Sequence, residues 1–144
     1  MDAGYEIADE TPSAEDYVRL RRITGLSPKS LEAAARGLPH TVFAVVVRHA
    51  GRVIGMGRLI GDHGLMFQVT DIAVDPGHQG KGLGKAIVSR IVAHIHANLP
   101  DGAYISLIAD GMAAELYAQY GFTPTAPASV GMALHLRPLP RDSA

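Results

Sequence analysis

The sequence predicts a fold of the α+β (mixed α/β) class, in which one sheet packs against several helices. Three observations lead to this prediction. Between residues 41 and 74, three apolar segments rich in β-branched residues follow one another across short turns. Residues 75–85 then contain four glycines and two lysines. Behind that run, apolar residues recur four positions apart from Leu83 to Leu99, which is typical of a helix with one buried face.

The N-terminal half contributes a short strand, two helices and three consecutive strands. The first strand is predicted near residues 5–7. Ser13 is followed three residues later by Asp16, a pattern that starts a helix. Ser27-Pro28 ends that helix and opens a second one that runs to Gly37. Strands are then predicted over 41–48, 52–60 and 65–74, antiparallel because their connections are short.

The C-terminal half is predicted to add two helices and two strands. The long helix behind the glycine run ends at Pro100-Asp101-Gly102. Residues 103–109 are almost all apolar and predict a central, buried strand. A further helix over 111–120 has Asp110 as its N-cap and closes at Gly121. Residues 130–136 predict a last strand, whose exposed edge near 132–136 is a possible homodimer contact.

Composition narrows the class of protein. The chain has 144 residues, of which 47% are hydrophobic and 19% charged, with a net charge of −1 and no cysteine. These values predict one globular domain over residues 1–144 and argue against a general nucleic-acid binder. The first ten residues are acidic and polar, and no run of about 18 apolar residues occurs, so we expect a cytoplasmic protein without a membrane span.

The glycine run is a predicted anion site, and three phosphate-binding patterns compete for it. Glycines let a ligand approach the backbone, and a helix N-terminus offers unpaired N–H groups. A Walker A loop fails because Ala86 follows Gly84-Lys85 and Gln79 stands where its first glycine belongs. The dinucleotide pattern Gly-x-Gly-x-x-Gly fails from either possible start. The third pattern, Gln/Arg-x-x-Gly-x-Gly/Ala, matches residues 79–84.

This third pattern resembles the GCN5-related N-acetyltransferases, the GNAT superfamily. The residues before the loop, 69–76, and the long helix behind it are also similar to that family. Downstream, Tyr117-Ala-Gln-Tyr-Gly121-Phe122 resembles the family's helix that ends in Tyr-x-x-x-Gly-Phe. The resemblance implies a twisted, mostly antiparallel sheet flanked by helices on both faces.

The resemblance also implies acetyl-CoA as co-substrate and transfer of its acetyl group to an amine. The residues implied in cofactor binding lie in the strand, the loop and the later helix start: Ile72, Ala73, Val74, Gln79, Gly80, Lys81, Gly82, Leu83, Gly84, Lys85 and Asp110. Loop amides would hold the pyrophosphate, and the 72–74 backbone would pair with the pantetheine arm. Both lysines fit equally well as solvated surface residues. Asp110 cannot donate the hydrogen bond that an Asn gives at this position in many members, so helix capping is its alternative role.

The absence of cysteine excludes an acyl-cysteine intermediate and favours direct transfer in a ternary complex. Tyr117 is the predicted general acid, because a phenol with a pKa near 10 can protonate a thiolate whose conjugate acid has a pKa near 8.5. Helical phase is expected to turn Met112, Leu116 and Tyr120 toward the core and Tyr117 toward the cofactor from the flank.

The sequence leaves the identity of the general base open between alternatives. Asp71, in the strand before the loop, is either the base or a structural residue that holds a neighbouring loop. His63, in the turn before that strand, is an alternative base. The seven histidines are scattered, and none forms a predicted metal site. We therefore expect no metal.

The acceptor is predicted only as a primary amine of a small molecule or peptide. Arg21 and Arg22 would favour an anionic acceptor, or else form a solvated helix face. Two other functions remain open: a non-catalytic acyl-CoA-binding sensor or interaction module, and a nucleotide-binding regulatory domain, against which both failed phosphate patterns count.

Overall fold

The computed structural model describes residues 4–111 and 113–141. In chain order the regular elements are β1 (Tyr5–Ala8), α1 (Ala14–Ile23), α2 (Leu31–Gly37), β2 (Phe43–His49), β3 (Arg52–Gly61), β4 (Met66–Val74), α3 (Leu83–Asn98), β5 (Tyr104–Ser106) and α4 (Ala113–Ala118). A single 3₁₀ turn at Leu38–His40 precedes β2, and another at Pro76–His78 lies at the start of the glycine run.

The strands form one sheet in the order β1-β2-β3-β4-β5. Every neighbouring pair is antiparallel except β4 and β5, which run parallel. The predicted α+β class and the mostly antiparallel sheet are therefore confirmed. The three middle strands form the meander that their short connections predicted.

Helices cover both faces of this sheet. On one face α3 packs its four-apart stripe, centred on Ile87 and Ile91, against valines and leucines of β2 and β3. On the other face α1 and α2 contribute Tyr17, Leu20 and Ala34 to a second buried cluster. Alternate residues of one strand feed the two clusters, as Val45 and Val46 of β2 do.

Serine caps fix where the first two helices begin. The Ser13 hydroxyl accepts the N–H of Asp16 at 3.1 Å, as the sequence predicted. The second helix begins later than expected, because Ser30 rather than Ser27 is its cap and accepts the N–H of Ala33 at 3.0 Å. The residues between the two helices form an irregular loop instead.

A bulge in β4 reverses which residues face α1. Met56 pairs with Ala73 and Arg58 with Thr70, so two residues, 71 and 72, lie opposite one residue of β3. Val69 packs in the cluster under α3 before the bulge, and Ile72 packs there after it. The extra residue therefore changes the alternation and leaves the Asp71 side chain on the α1 face.

The prediction of a central, buried strand over 103–109 is wrong. Only β5, three residues long, is a strand, and it lies at the end of the sheet with Tyr104 exposed. Its pairing with β4 stops at Gln68 and Ser106, and beyond these residues the two segments of backbone diverge. The apolar residues that follow, Leu107 and Ala109, pack against the core without strand pairing.

The prediction of a last strand over 130–136 is also wrong. These residues form no strand in the described chain. Val130, Met132 and Leu134 are exposed by 70–92%. An alternating side-chain pattern makes a strand only where a neighbouring backbone supplies hydrogen bonds, and none of the five strands does so here. The suggested dimer edge at 132–136 is therefore not present as a strand.

Candidate functional site

The glycine run begins as a loop tied to the sheet. The N–H of Asp75 donates to the carbonyl of Ile54 at 2.7 Å, and its carboxylate accepts the N–H of Gly77 at 2.9 Å. The Gln79 side chain donates to the carbonyl of Val74 at 3.0 Å. The Tyr5 hydroxyl lies 2.6 Å from Nδ1 of His78. Residues 75–79, which begin the loop, are thus held in place by hydrogen bonds.

The loop then presents a row of free backbone N–H groups. Within the described chain, no protein acceptor pairs with the N–H of residues 79–85, whereas the N–H of Ala86 already bonds to the carbonyl of Gly82. Gly80 and Gly82 both have φ of +78°, a left-handed conformation that turns the chain into the first turn of α3. This arrangement fits a pyrophosphate, since the open amides and the helix N-terminus attract an anion together. Lys81 and Lys85 are exposed beside it.

A cavity of about 600 Å³ opens where β4 and β5 diverge. On one side lie the β4 residues after the last β4–β5 pair, and on the other lie the chain after β5 and the start of α4. The lining residues are Tyr17, Arg21, Leu26, Lys29, Arg58, Ile60, Gln68, Val69, Thr70, Asp71, Ile72, Ile108, Asp110, Ala113, Tyr117 and His135. The cavity therefore brings the predicted acid Tyr117 and the predicted base Asp71 to one site.

The strand residues implied in cofactor binding have one unpaired backbone edge. Ala73 and Val74 pair with Met56 and Gly55 of β3 on one side. On the other side the β5 pairing has already ended at Gln68. The 72–74 backbone is thus available to a ligand that binds like an added strand, as expected from the sequence.

Tyr117 is the most buried described residue of α4, at 8% exposure. Burial, followed by the negative charge of Asp110, raises its pKa. Its ring meets that of Phe122 edge-on at 6.0 Å. In the described part of the chain its hydroxyl has no hydrogen-bond partner. The phenol is therefore held protonated with its O–H uncommitted.

The expected helical phase of α4 is matched in part: Leu116 and Tyr120 pack against the core and Tyr117 lines the cavity, but Tyr117 is also the most buried of the three. Tyr117 itself joins the buried cluster, whereas Leu116 and Tyr120 are only partly buried. Met112, the third residue of the predicted core stripe, lies outside the described residues.

Asp71 sits in a buried charged cluster on the α1 face of the sheet. One carboxylate oxygen accepts from Nη1 of Arg21 at 2.5 Å, and the other accepts from Nη1 of Arg58 at 2.9 Å. The Tyr17 hydroxyl donates to the first of these oxygens at 3.1 Å. Both carboxylate oxygens of Asp71 already accept hydrogen bonds, so the geometry favours a structural role for this residue over the role of general base. The groups that it holds are two arginine side chains, whereas the sequence predicted a loop.

Backbone and ring geometry reinforce this cluster. Asp71 has φ of +60°, an uncommon conformation for a residue other than glycine, and it occurs at the bulge. The guanidinium carbons of Arg21 and Arg58 lie 5.9 and 5.5 Å from the centre of the Tyr17 ring. Burial and the nearby Asp71 charge raise the pKa of Tyr17 to about 12, so it remains a neutral donor.

Several cavity residues were not singled out in the site predicted from sequence, among them Tyr17, Lys29 and Arg58. Arg58 was the detectable one, because it is the only charged residue inside an otherwise apolar stretch of a predicted strand. Such a residue in a buried strand needs a partner, and Asp71 is that partner.

The remaining predicted positions are less central. Asp110 lines the cavity and is exposed, and its backbone carbonyl accepts the N–H of Ala113 at 3.0 Å. No described side-chain bond supports the predicted cap. His63 is exposed in the β3–β4 turn and is absent from the cavity lining. Within residues 4–111 and 113–141, no group of three His, Cys, Asp or Glu side chains could hold a metal ion, and no helix is long and apolar enough to cross a membrane.

Comparison with known proteins identifies the family. Residues 39–124 match the model of the acetyltransferase (GNAT) domain. The chain belongs to the GNAT acetyltransferase family, and its resemblance to that family is confirmed. The matched residues run from the 3₁₀ turn after α2 through the glycine run and α4, and so include the open amides, Asp71 and Tyr117.

Solved structures and named relatives agree. A probable acetyltransferase of unknown function from meticillin-resistant Staphylococcus aureus is 43% identical, with a TM-score of 0.86 over 92% of this chain and 99% of that one. A GNAT family protein from Streptococcus pneumoniae, 20% identical, shares the fold with a TM-score of 0.74 over 92% and 98% of the two chains. The protein named histone acetyltransferase TAP1 from Glycine max is 39% identical over 71 residues, which are 49% of this chain and 30% of that protein. The chain thus spans under a third of the length of that relative.

Proposed function

We propose that this protein transfers an acetyl group from acetyl-CoA directly to a primary amine within a ternary complex. The observation that carries the proposal is the open row of amides at residues 79–85, which follows β4, together with the cavity that β4 shares with Tyr117. Acetyl-CoA would supply an activated thioester, which needs no covalent acyl-enzyme, and the chain has no cysteine to form one.

The donor half of the site would be made mostly of backbone. The N–H groups of 79–84, aided by the N-terminus of α3, would bind the pyrophosphate. Lys81 and Lys85 would add positive charge near the phosphates. The free edge of β4 at 72–74 would hold the pantetheine amides, as an added strand does.

Tyr117 would act as the general acid. As the carbon–sulfur bond breaks, the departing thiolate takes up a proton, and the uncommitted phenol O–H of Tyr117 is a donor that lines this cavity. Its raised pKa keeps the proton in place at neutral pH. That pKa exceeds the ordinary pKa of a thiol, so proton transfer from Tyr117 to the thiolate is unfavourable by itself. The newly acetylated nitrogen loses a proton in the same reaction, and this favourable proton loss compensates.

The amine must lose its proton before it attacks. Asp71 was the predicted base, but both of its oxygens already accept bonds from arginines. We propose instead that the cavity assists deprotonation through charge. Arg21, Arg58 and Lys29 line it, and nearby positive charge lowers the pKa of an ammonium group.

The test measures coenzyme A release with a thiol reagent while acetyl-CoA and a panel of primary amines are supplied. We expect amine-dependent release, and a drop in kcat of about a hundredfold in Tyr117→Phe. Tyr120→Phe is the matched control, since its hydroxyl binds only the Lys85 carbonyl, at 3.4 Å. Full turnover by Tyr117→Phe, with chemistry shown to be rate-limiting, would exclude this tyrosine as the acid.

The sensor alternative gives a different outcome in the same experiment. A non-catalytic module would bind acetyl-CoA in a calorimetric titration yet release no coenzyme A with any amine. Absence of acetyl-CoA binding would overturn the donor site itself.

A further inference from the structure

We infer that the acceptor amine carries an oxyanion, a carboxylate or a phosphate, and that Arg21 and Arg58 bind this group. The inference rests on the proposed function and specifies the acceptor of the same cavity. It begins from charge. Arg21, Arg58 and Asp71 are each less than 10% exposed, and they carry two positive charges and one negative charge.

The positive excess of this cluster is not cancelled by the protein. Asp71 is the only carboxylate that pairs with either arginine in the described part of the chain. Asp110 lines the same cavity but is exposed and forms no ion pair with them. A buried net charge is unfavourable unless it is paired, so an anionic ligand at this point stabilises the cluster.

Both guanidinium groups keep donors for such a ligand. A guanidinium has five N–H donors. Arg21 uses one at each nitrogen, toward Asp71 and Ser27. Arg58 does the same toward Asp71 and Thr41. Each therefore has two N–H groups left, both on its terminal nitrogens, where a carboxylate or phosphate is bound most strongly.

The cluster is rigid and faces the cavity. Hydrogen bonds that the guanidinium groups donate to Ser27, Thr41 and Asp71 fix their two planes, and the Tyr17 ring lies against both. Lys29, exposed at the same cavity, adds a positive charge at its mouth. A fixed pair of planar donors distinguishes an oxyanion from an uncharged amide by charge and by geometry.

The experiment compares acceptor pairs that differ only in the anionic group: glycylglycine with its C-terminal amide, and phosphoethanolamine with ethanolamine. We expect kcat/KM to favour the anionic member of at least one pair by about tenfold or more, through KM. The pair that discriminates identifies carboxylate or phosphate. Equal kcat/KM within both pairs overturns the inference while leaving acetyl transfer intact.

Variants separate this site from a general charge effect. Arg58→Lys and Arg21→Lys keep the charge and a contact to Asp71 but lose the fork, and we expect each to abolish most of the preference. Arg22→Gln is the matched control, because it removes a positive charge from the exposed side of the same helix. Coenzyme A affinity should be unchanged in all three. A preference that survives in both lysine variants overturns the inference.

A binding measurement decides the inference if no amine reacts. That result would contradict the proposed function but not the anion site. In calorimetric titrations with coenzyme A present, N-acetylglycylglycine should bind at least tenfold more tightly than its amide, and Arg58→Lys should remove the difference. Equal affinities would overturn the inference.

Discussion

At the scale of single residues, Asp71 matters most, because it occupies a position that the backbone disfavours and neutralises one of two buried arginines. Its φ of +60° and its contacts to Arg21 and Arg58 belong together: the bulge that places the residue in the left-handed region also turns the carboxylate toward α1. The cost of that conformation is offset by charge-assisted hydrogen bonds.

Replacement of Asp71 by Asn should destabilise the protein by about 3–5 kcal/mol, because two buried guanidinium groups would lose the one carboxylate that pairs with them in the described residues. Urea unfolding followed by circular dichroism measures this free energy. Asp101→Asn is the control, since Asp101 is exposed in the turn after α3. A change below about 0.5 kcal/mol for Asp71→Asn, which is typical of surface substitutions, would contradict the structural role.

Gly57 is required by packing rather than by backbone conformation. A Cβ there would lie 2.5 Å from Cγ2 of Ile87 and 2.7 Å from Cδ1 of Ile72. Gly57→Ala should therefore cost about 1–3 kcal/mol of unfolding free energy. Gly55→Ala, on the same strand, is the control, because its Cβ would meet nothing closer than 3.4 Å. Equal stability of the two variants would show that the Ile87 side chain yields without cost.

At the scale of elements, the turn from β4 into α3 combines a fixed entrance with an open interior. Asp75, Gln79 and His78 hold the beginning of the loop through hydrogen bonds. The amides that follow have no partner among the residues that the structure describes. The first N–H groups of α3 also have no partner within the helix. A bound anion would accept hydrogen bonds from these groups and from the loop amides together.

Gly82→Ala should weaken coenzyme A binding by at least about tenfold, because its φ of +78° costs an L-residue roughly 1–2 kcal/mol. Gly84→Ala is the matched control two residues along. Its φ lies outside the left-handed region and its Cβ would meet nothing within 4 Å. We expect that variant to gain about 0.5–1 kcal/mol of helix stability and to keep its affinity. Calorimetry and urea unfolding measure the two effects, and equal affinities of the two variants would contradict a cradle that depends on the left-handed turn.

At the scale of the whole molecule, two buried tyrosines on opposite faces of the sheet make the free energy of unfolding depend on pH in the alkaline range. Tyr17 belongs to the cluster under α1, and Tyr117 belongs to the cluster under α3. Both have raised pKa values, mainly through burial. The folded protein therefore binds these two protons more tightly than the unfolded chain does.

This linkage predicts a loss of stability at high pH. The contribution is complete below the ordinary tyrosine pKa of about 10 and falls as pH rises toward the folded value, which for Tyr17 is about 12. Urea midpoints measured between about pH 8 and 11 should decline at the top of this range. In Tyr17→Phe the decline should be shallower, since the variant has no such proton to lose. Parallel curves for the two proteins would contradict the raised pKa.

The ligand should also stabilise the whole molecule. Coenzyme A at 100 times its dissociation constant should add about 2.7 kcal/mol to the unfolding free energy. The melting temperature should then rise by several degrees. In Gly82→Ala the same concentration should give a smaller rise, and a melting temperature unmoved by coenzyme A in the unaltered protein would contradict the donor site.

The sequence by itself determined the parts of this protein whose signals are local. Glycine spacing at 79–84, the stripe from Leu83 to Leu99 and the short turns of the meander depend on neighbouring residues only. They sufficed for the fold class, the family and the predicted anion cradle. Tyr117, which lines the cavity, was also indicated by its local motif, although its burial in the core was not.

Tertiary structure alone decided what depends on distant residues. The short extent of β5 and the absence of a strand at 130–136 follow from which backbones meet, and side-chain alternation does not report that. One extra residue in β4 turned Asp71 to the α1 face, where it meets Arg58, 13 residues before it, and Arg21, 50 residues before it. A bulge changes the period that sequence reasoning assumes, so the charged cluster that defines the proposed acceptor could be recognised only in the folded chain.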